Sequence, residues 1–207
     1  MANNLNQLNT LHFEVLCEIG NIGAGNAITA LSALVGTPVS MTVPKVKLLE
    51  FKEYSDILGS PEDIVVGILA SISGDVNGIM MFMLRPESAH TLTSHLMGLP
   101  VEEETSAAFS ELELSAIQEI GNILCSSYIN ALASLINKSI TLSPPMLAQD
   151  MAAAILSVPA IEFGKIADRV LFIDSEFHVG TENASGYFLL VPDMPSFNTI
   201  LTSLGVM

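Results

Sequence analysis

The chain has 207 residues, half of them hydrophobic, and a formal charge of −15 at pH 7 from 22 Asp plus Glu against 7 Lys plus Arg. That size and apolar content support a substantial core, in one large domain or two small intimate ones. The acidic balance argues against nucleic acid, whose phosphates reward clustered cations, and against anionic membrane surfaces; a basic protein face suits it better.

The N-terminal residues carry no cationic start followed by an apolar core, so they do not read as a secretory signal, and a cytoplasmic protein is expected. No apolar run approaches the roughly 20 residues needed to cross a bilayer, so no membrane insertion is expected. Asn9 or Thr10 is a candidate N-cap for a helix over about 11–34, ended by Gly36. Residues 38–51 alternate Val39, Met41 and Val43 and read as a strand, with Lys45 and Lys47 continuing its exposed face. A polar connection at 53–63 leads to a β-branched strand at 64–72, and the turn at 73–78 returns the chain as a strand at 79–84. Pro86 opens a helix that runs to Met97 and stops at Gly98. Glu102, Glu103 and Glu104 mark a short solvated linker at 101–106. The plan then returns: a helix from Ser110 or Glu111 to Ile136, a strand at 139–142, and Pro144 with Pro145. Residues 149–156 fit helix or strand, their alanines favouring helix. A strand at 169–179, a turn at 181–186, a hairpin partner at 187–191 and a closing helix at 195–204 complete the chain.

The two halves share a motif. Glu18, Ile19, Gly20, Asn21 and Ile22 return as Glu119, Ile120, Gly121, Asn122 and Ile123, 101 positions later. Each copy lies in a helical apolar pattern, so its Glu and Asn, three apart, share a helix face. Four residues before each Glu stand Glu14 and Ser115, on the same stripe. Pro44 and Pro145 each follow their Asn by 23 residues. Glycine inside a helix costs about 1 kcal/mol relative to alanine, so Gly20, Gly23, Gly25 and Gly121 imply a close approach to the backbone, by a docking partner or by tight packing of the helices. The ends of the halves also align, GIMMFMLRP from Gly78 with GYFLLVP from Gly186. An α+β fold is expected: an internally duplicated helix–strands–helix unit with pseudo-twofold symmetry, one mainly antiparallel sheet, and two long paired motif helices on a face. The repeats span about 11–100 and 110–205 of a single domain.

No metal site is expected, since His12, His90, His95 and His178 are scattered and lack ligand spacing. Cys17 and Cys125 form no CxxC pair and are expected as buried reduced thiols. The glycine-rich run from Gly20 lacks the preceding strand and the lysine of a phosphate loop. A carboxylate and a carboxamide, presented twice on helices, remain. Asn cannot serve as a base near neutral pH, but its amide can donate to and accept from a water and hold it in line for attack on phosphorus. An ionised Glu beside it suits a partner lysine. A lone E-x-x-N is usually only a polar helix face; the internal repeat, the glycines and the matched prolines favour function here.

With Ser115, Glu119, Asn122 and Pro145, the chain resembles the CheC, CheX and FliY phosphatases of bacterial and archaeal chemotaxis, whose pattern is Asp or Ser, three residues, Glu, two residues, Asn, 22 residues, Pro. The first copy, Glu14, Glu18, Asn21 and Pro44, fits except that Glu14 replaces Asp or Ser. A CheX-like chain is expected to carry one such motif and FliY an extra C-terminal domain, so the CheC-like pattern fits better. The resemblance implies hydrolysis of the aspartyl phosphate of the response regulator CheY, with Asn21 and Asn122 orienting water and Glu18 and Glu119 pairing with the regulator's lysine. Mg²⁺ is then expected on CheY, with no cofactor bound by this chain. The resemblance also implies binding to the receptor deamidase CheD, with Asp150 a candidate contact, and a chain monomeric by itself. A low-turnover adaptor for CheD or CheY, or a flagellar switch subunit, are the alternatives.

Overall fold

A computed structural model describes residues 10–42, 45–50, 60–100, 108–163, 169–179 and 182–205. In chain order the elements are α1 (Thr10–Val35), β1 (Val39–Met41), β2 (Lys45–Glu50), β3 (Ile64–Gly74), β4 (Gly78–Leu84), α2 (Pro86–Met97), α3 (Glu111–Ile136), β5 (Ile140–Leu142), β6 (Met146–Met151), α4 (Ala152–Phe163), β7 (Arg169–Val179), β8 (Glu182–Pro192) and α5 (Met194–Ser203).

The strands form one sheet in the order β1-β7-β8-β4-β3-β5, with β2 also on β7 and β6 also on β3. Among the described residues every pairing is antiparallel. The order reads alike from either edge. It also interlaces the halves: β1 and β2 pair with β7 from the far half, and β5 and β6 pair with β3 from the near half. This topology is consistent with the expected duplicated unit.

Strand alternation sorts the core onto two faces. Met80, Phe82 and Leu84 of β4 join Ile19, Leu31, Ala89, Leu92, Ile120, Tyr128 and Ile200 from α1, α2, α3 and α5. Met81 and Met83 point the other way, onto Ala152, Ile155 and Leu156 of α4. Burial on both faces is why 78–84 reads as an unbroken apolar run. Aromatic rings lock the first face, with Phe188 stacked on Phe82 at a 4.5 Å centroid separation and tilted against Tyr128 at 4.3 Å.

Two of the helix glycines answer to packing. A Cβ on Gly23 would enter the Tyr128 ring of α3, and one on Gly121 would enter the Ile68 side chain of β3. The first lets α1 approach α3; the second lets α3 approach the sheet.

Helix boundaries follow their punctuation. Gly36 and Gly98 take left-handed conformations, φ 66° and 65°, where α1 and α2 stop. Elsewhere the structure departs from the sequence reading. Residues 38–51 hold two strands, β1 and β2, rather than one, with positions 43–44 and 51 outside the described residues. Residues 149–156 are divided: β6 pairs with β3 through Met151, and α4 starts at Ala152. The turn expected at 181–186 is strand from Glu182, because ladder pairing with 175–179 overrides the turn-forming Asn183 and Gly186. The acidic linker and most of 53–63 lie outside the described residues.

Candidate functional site

The second motif rests on a well-anchored helix. Ser110 caps α3 by accepting the Glu113 N–H at 3.3 Å, and Glu113 accepts the Ser110 N–H at 2.8 Å and its hydroxyl at 2.7 Å. His90 Nδ1 of α2 donates to the same carboxylate at 3.0 Å, and its ring stacks on Phe109. The Ser110 backbone donor and then its hydroxyl hold the Glu113 carboxyl below the ordinary carboxylate range against the opposing effect of burial, and His90 adds a weaker lowering.

Along each long helix the apolar residues turn inward and the polar trio outward. Ile19, Gly20, Gly23 and Ala24 are buried while Glu14, Glu18 and Asn21 are exposed; Ile117, Ile120, Gly121 and Leu124 are buried while Ser115 and Glu119 are exposed and Asn122 is half-buried. Both Glu and Asn pairs are thus open to a partner. Ser115 Oγ donates to the Glu111 carbonyl at 3.0 Å, so this hydroxyl is engaged with its own helix.

Asn122 borders a groove of about 550 Å³. Asn122, Ser126 and Asn130 supply its helical wall, and Thr141, Ser143 and Pro145 the opposite one. The far wall is tied to β3 through the Ser143 N–H to the Ser71 carbonyl, 2.9 Å, and the Ser71 N–H to Ser143 Oγ, 3.0 Å. It is tied to α3 by Gln118 Nε2, which donates to the Pro145 carbonyl at 2.7 Å. The second motif's Asn and Pro therefore line one groove, one turn along the helix from Glu119. Pro44 of the first motif lies outside the described residues.

Asp150 is exposed at the far end of β6, opposite Val65, and accepts the Met151 N–H at 2.7 Å; it does not line the groove. Among the described residues no three His, Cys, Asp or Glu side chains are placed to hold a metal ion, and no helix is long and apolar enough to cross a membrane. Cys125 is buried as expected, and burial pushes its thiol up to about 12, so it is no nucleophile. Cys17 is half-buried. Sequence reasoning missed Gln118, Ser126, Asn130, Thr141 and Ser143. Only Gln118 carried a signal, as the polar neighbour of Glu119.

A model of the CheC-like family matches residues 12–48 and 112–147, each segment containing one motif copy. The chain is 30% identical over 194 residues to a CheY-P phosphatase CheC of Bacillus subtilis strain 168, covering 93% of each chain. Its fold matches that of Thermotoga maritima FliY at TM-score 0.77 and 21% identity, covering 96% of this chain and 98% of that one. It also matches a CheX-CheY-BeF3-Mg²⁺ complex of Borrelia burgdorferi at TM-score 0.53 and 14% identity, covering 82% and 94%.

Proposed function

The chain belongs to the CheC-like family, and on that premise we propose that it accelerates hydrolysis of the aspartyl phosphate on CheY. The observation that carries this reading is the pair of outward-facing Glu and Asn sets on α1 and α3, with a groove bordering Asn122 of the second. The similarity to a named CheY-P phosphatase and to a structure containing CheX with CheY supports the partner.

In this reaction a water oxygen bonds to phosphorus, the bond from phosphorus to the aspartyl oxygen breaks, and the carboxylate leaves with the electron pair. The water's proton ends on the released phosphate. The Asn21 and Asn122 carboxamides each offer an N–H donor and a carbonyl acceptor to one water, which fixes its approach without taking its proton. The Glu18 and Glu119 carboxylates offer acceptor oxygens to a regulator lysine and so set the docking register. The phosphoryl group and Mg²⁺ come with CheY.

Asn to Asp at the two sites tests the roles. It replaces an amide donor by a second anionic oxygen beside a phosphate, so acceleration of CheY-P decay falls on the order of 10²-fold when both are changed. Full retention refutes water positioning. Acceleration that persists in excess chelator contradicts the assignment of Mg²⁺ to the partner.

The same reading takes the protein as a monomer by itself and as a partner of CheD through exposed Asp150. Asp150→Ala then weakens CheD binding in a direct titration; unchanged affinity removes Asp150 from that interface. Tight regulator binding without acceleration would return the protein to the adaptor class.

A further inference from the structure

The groove beside Asn122 has a wall that its own backbone cannot hold throughout. Between β5 and β6 the chain passes through Ser143, Pro144 and Pro145, and two successive prolines remove two N–H donors. The hydrogen bonds of Ser143 with Ser71 fasten one end of this connection, and the pairing of Met146 with Leu69 fastens the other. At Pro145 the tie is a side chain, Gln118 Nε2 on the carbonyl at 2.7 Å. A carbonyl accepts only from the amide nitrogen, so the partner itself sets the orientation of the carboxamide.

Gln118 precedes Glu119 directly and stands four residues before Asn122, about one turn away on the same helix flank. It therefore joins the helix that presents Glu and Asn to the loop that walls the groove. We infer that Gln118 is a positioning residue of the second motif: it clamps Pro145, keeps the groove wall at a set separation from Asn122, and pre-forms the surface on which the phosphorylated regulator docks. The inference rests on the phosphatase reading for its substrate. It also gives Pro145 a physical role, since a fixed φ narrows the paths open to the loop whose carbonyl Gln118 holds.

The position matching Gln118 in the first copy is Cys17, 101 residues earlier. A thiol is a weak donor on a shorter stem and does not reproduce a carboxamide's reach. Cys17 therefore does not supply the clamp that Gln118 supplies in the second copy.

The test uses the full-length chain with Asn21→Ala in place, so that decay of phosphorylated CheY reports the second site. Gln118→Met keeps the length and helix preference of the side chain and removes the donor. The KM for phosphorylated CheY is expected to rise about three- to tenfold, with kcat within about twofold, since one hydrogen bond of ordinary net strength is lost from the docked surface. Amide exchange at residues 141–149 should quicken, while the melting temperature falls by no more than about 4 °C and exchange in the middle of α3 stays as it was. An unchanged KM, a kcat that falls with KM unmoved, or a general loss of protection each overturns the positioning role. If the Asn21→Ala parent shows no acceleration, the phosphatase reading fails at this site. Exchange at 141–149 then decides the clamp by itself, and an unaltered pattern in Gln118→Met overturns it.

Discussion

Gly121 and Gly25 occupy similar helices in opposite surroundings. A Cβ at 121 is driven into Ile68, whereas one at 25 meets nothing within 4 Å. Alanine at 121 overpacks the layer between α3 and β3 and should cost about 1–3 kcal/mol. At 25 it should stabilise by roughly 1 kcal/mol, through helix propensity. Urea denaturation of the two variants checks both signs, and a neutral Gly121→Ala would contradict the close approach of α3 to the sheet. At this scale the polar trios were legible because helical period alone puts 14, 18 and 21, or 115, 119 and 122, on one stripe. The sequence alone does not separate docking from packing as the purpose of the glycines; packing holds at Gly23 and Gly121 because their neighbours, Tyr128 and Ile68, come from other elements. Gln118 was missed for the same reason, as its acceptor lies 27 residues away.

At the scale of elements, the capping box of α3 links helix stability to pH. Ser110 and His90 lower the Glu113 pKa from 4.5, so the folded state prefers the ionised carboxylate. The resulting stabilisation is fully present above 4.5 and is lost as the pH falls through the lower folded-state value. Glu113→Gln should therefore be less stable than the parent at neutral pH, with the gap closing below about pH 4.5; chemical denaturation across pH 3–7 measures it. A gap independent of pH would show that the carboxylate's charge contributes nothing. The ends of α2 were readable because Pro86 and Gly98 act through local backbone geometry. β6 and the first residues of β8 were not. Ala148 and Gln149 have little strand preference, and Asn183 to Gly186 favour turns; pairing with β3 and β7 overrides both.

Across the whole molecule, the sheet makes the halves interdependent. β3 is flanked by β5 and β6, and β7 by β1 and β2, so each half completes the other's sheet. A single domain should then unfold in one urea transition, coincident by circular dichroism and tyrosine fluorescence. Two separated transitions would mean that the repeats fold as independent units. The repeat and its spacing of 101 residues were legible in the sequence. The interlacing was not, because local patterns name strands without naming their partners.

The central claim is that the two Asn residues, on α1 and α3, carry the hydrolysis. The decay of phosphorylated CheY with Mg²⁺ tests it for the intact protein, Asn21→Ala, Asn122→Ala and the double variant. The account predicts acceleration by the intact protein that disappears in the double variant, with each single variant retaining the other site's share. A double variant that accelerates decay as well as the intact protein would contradict it.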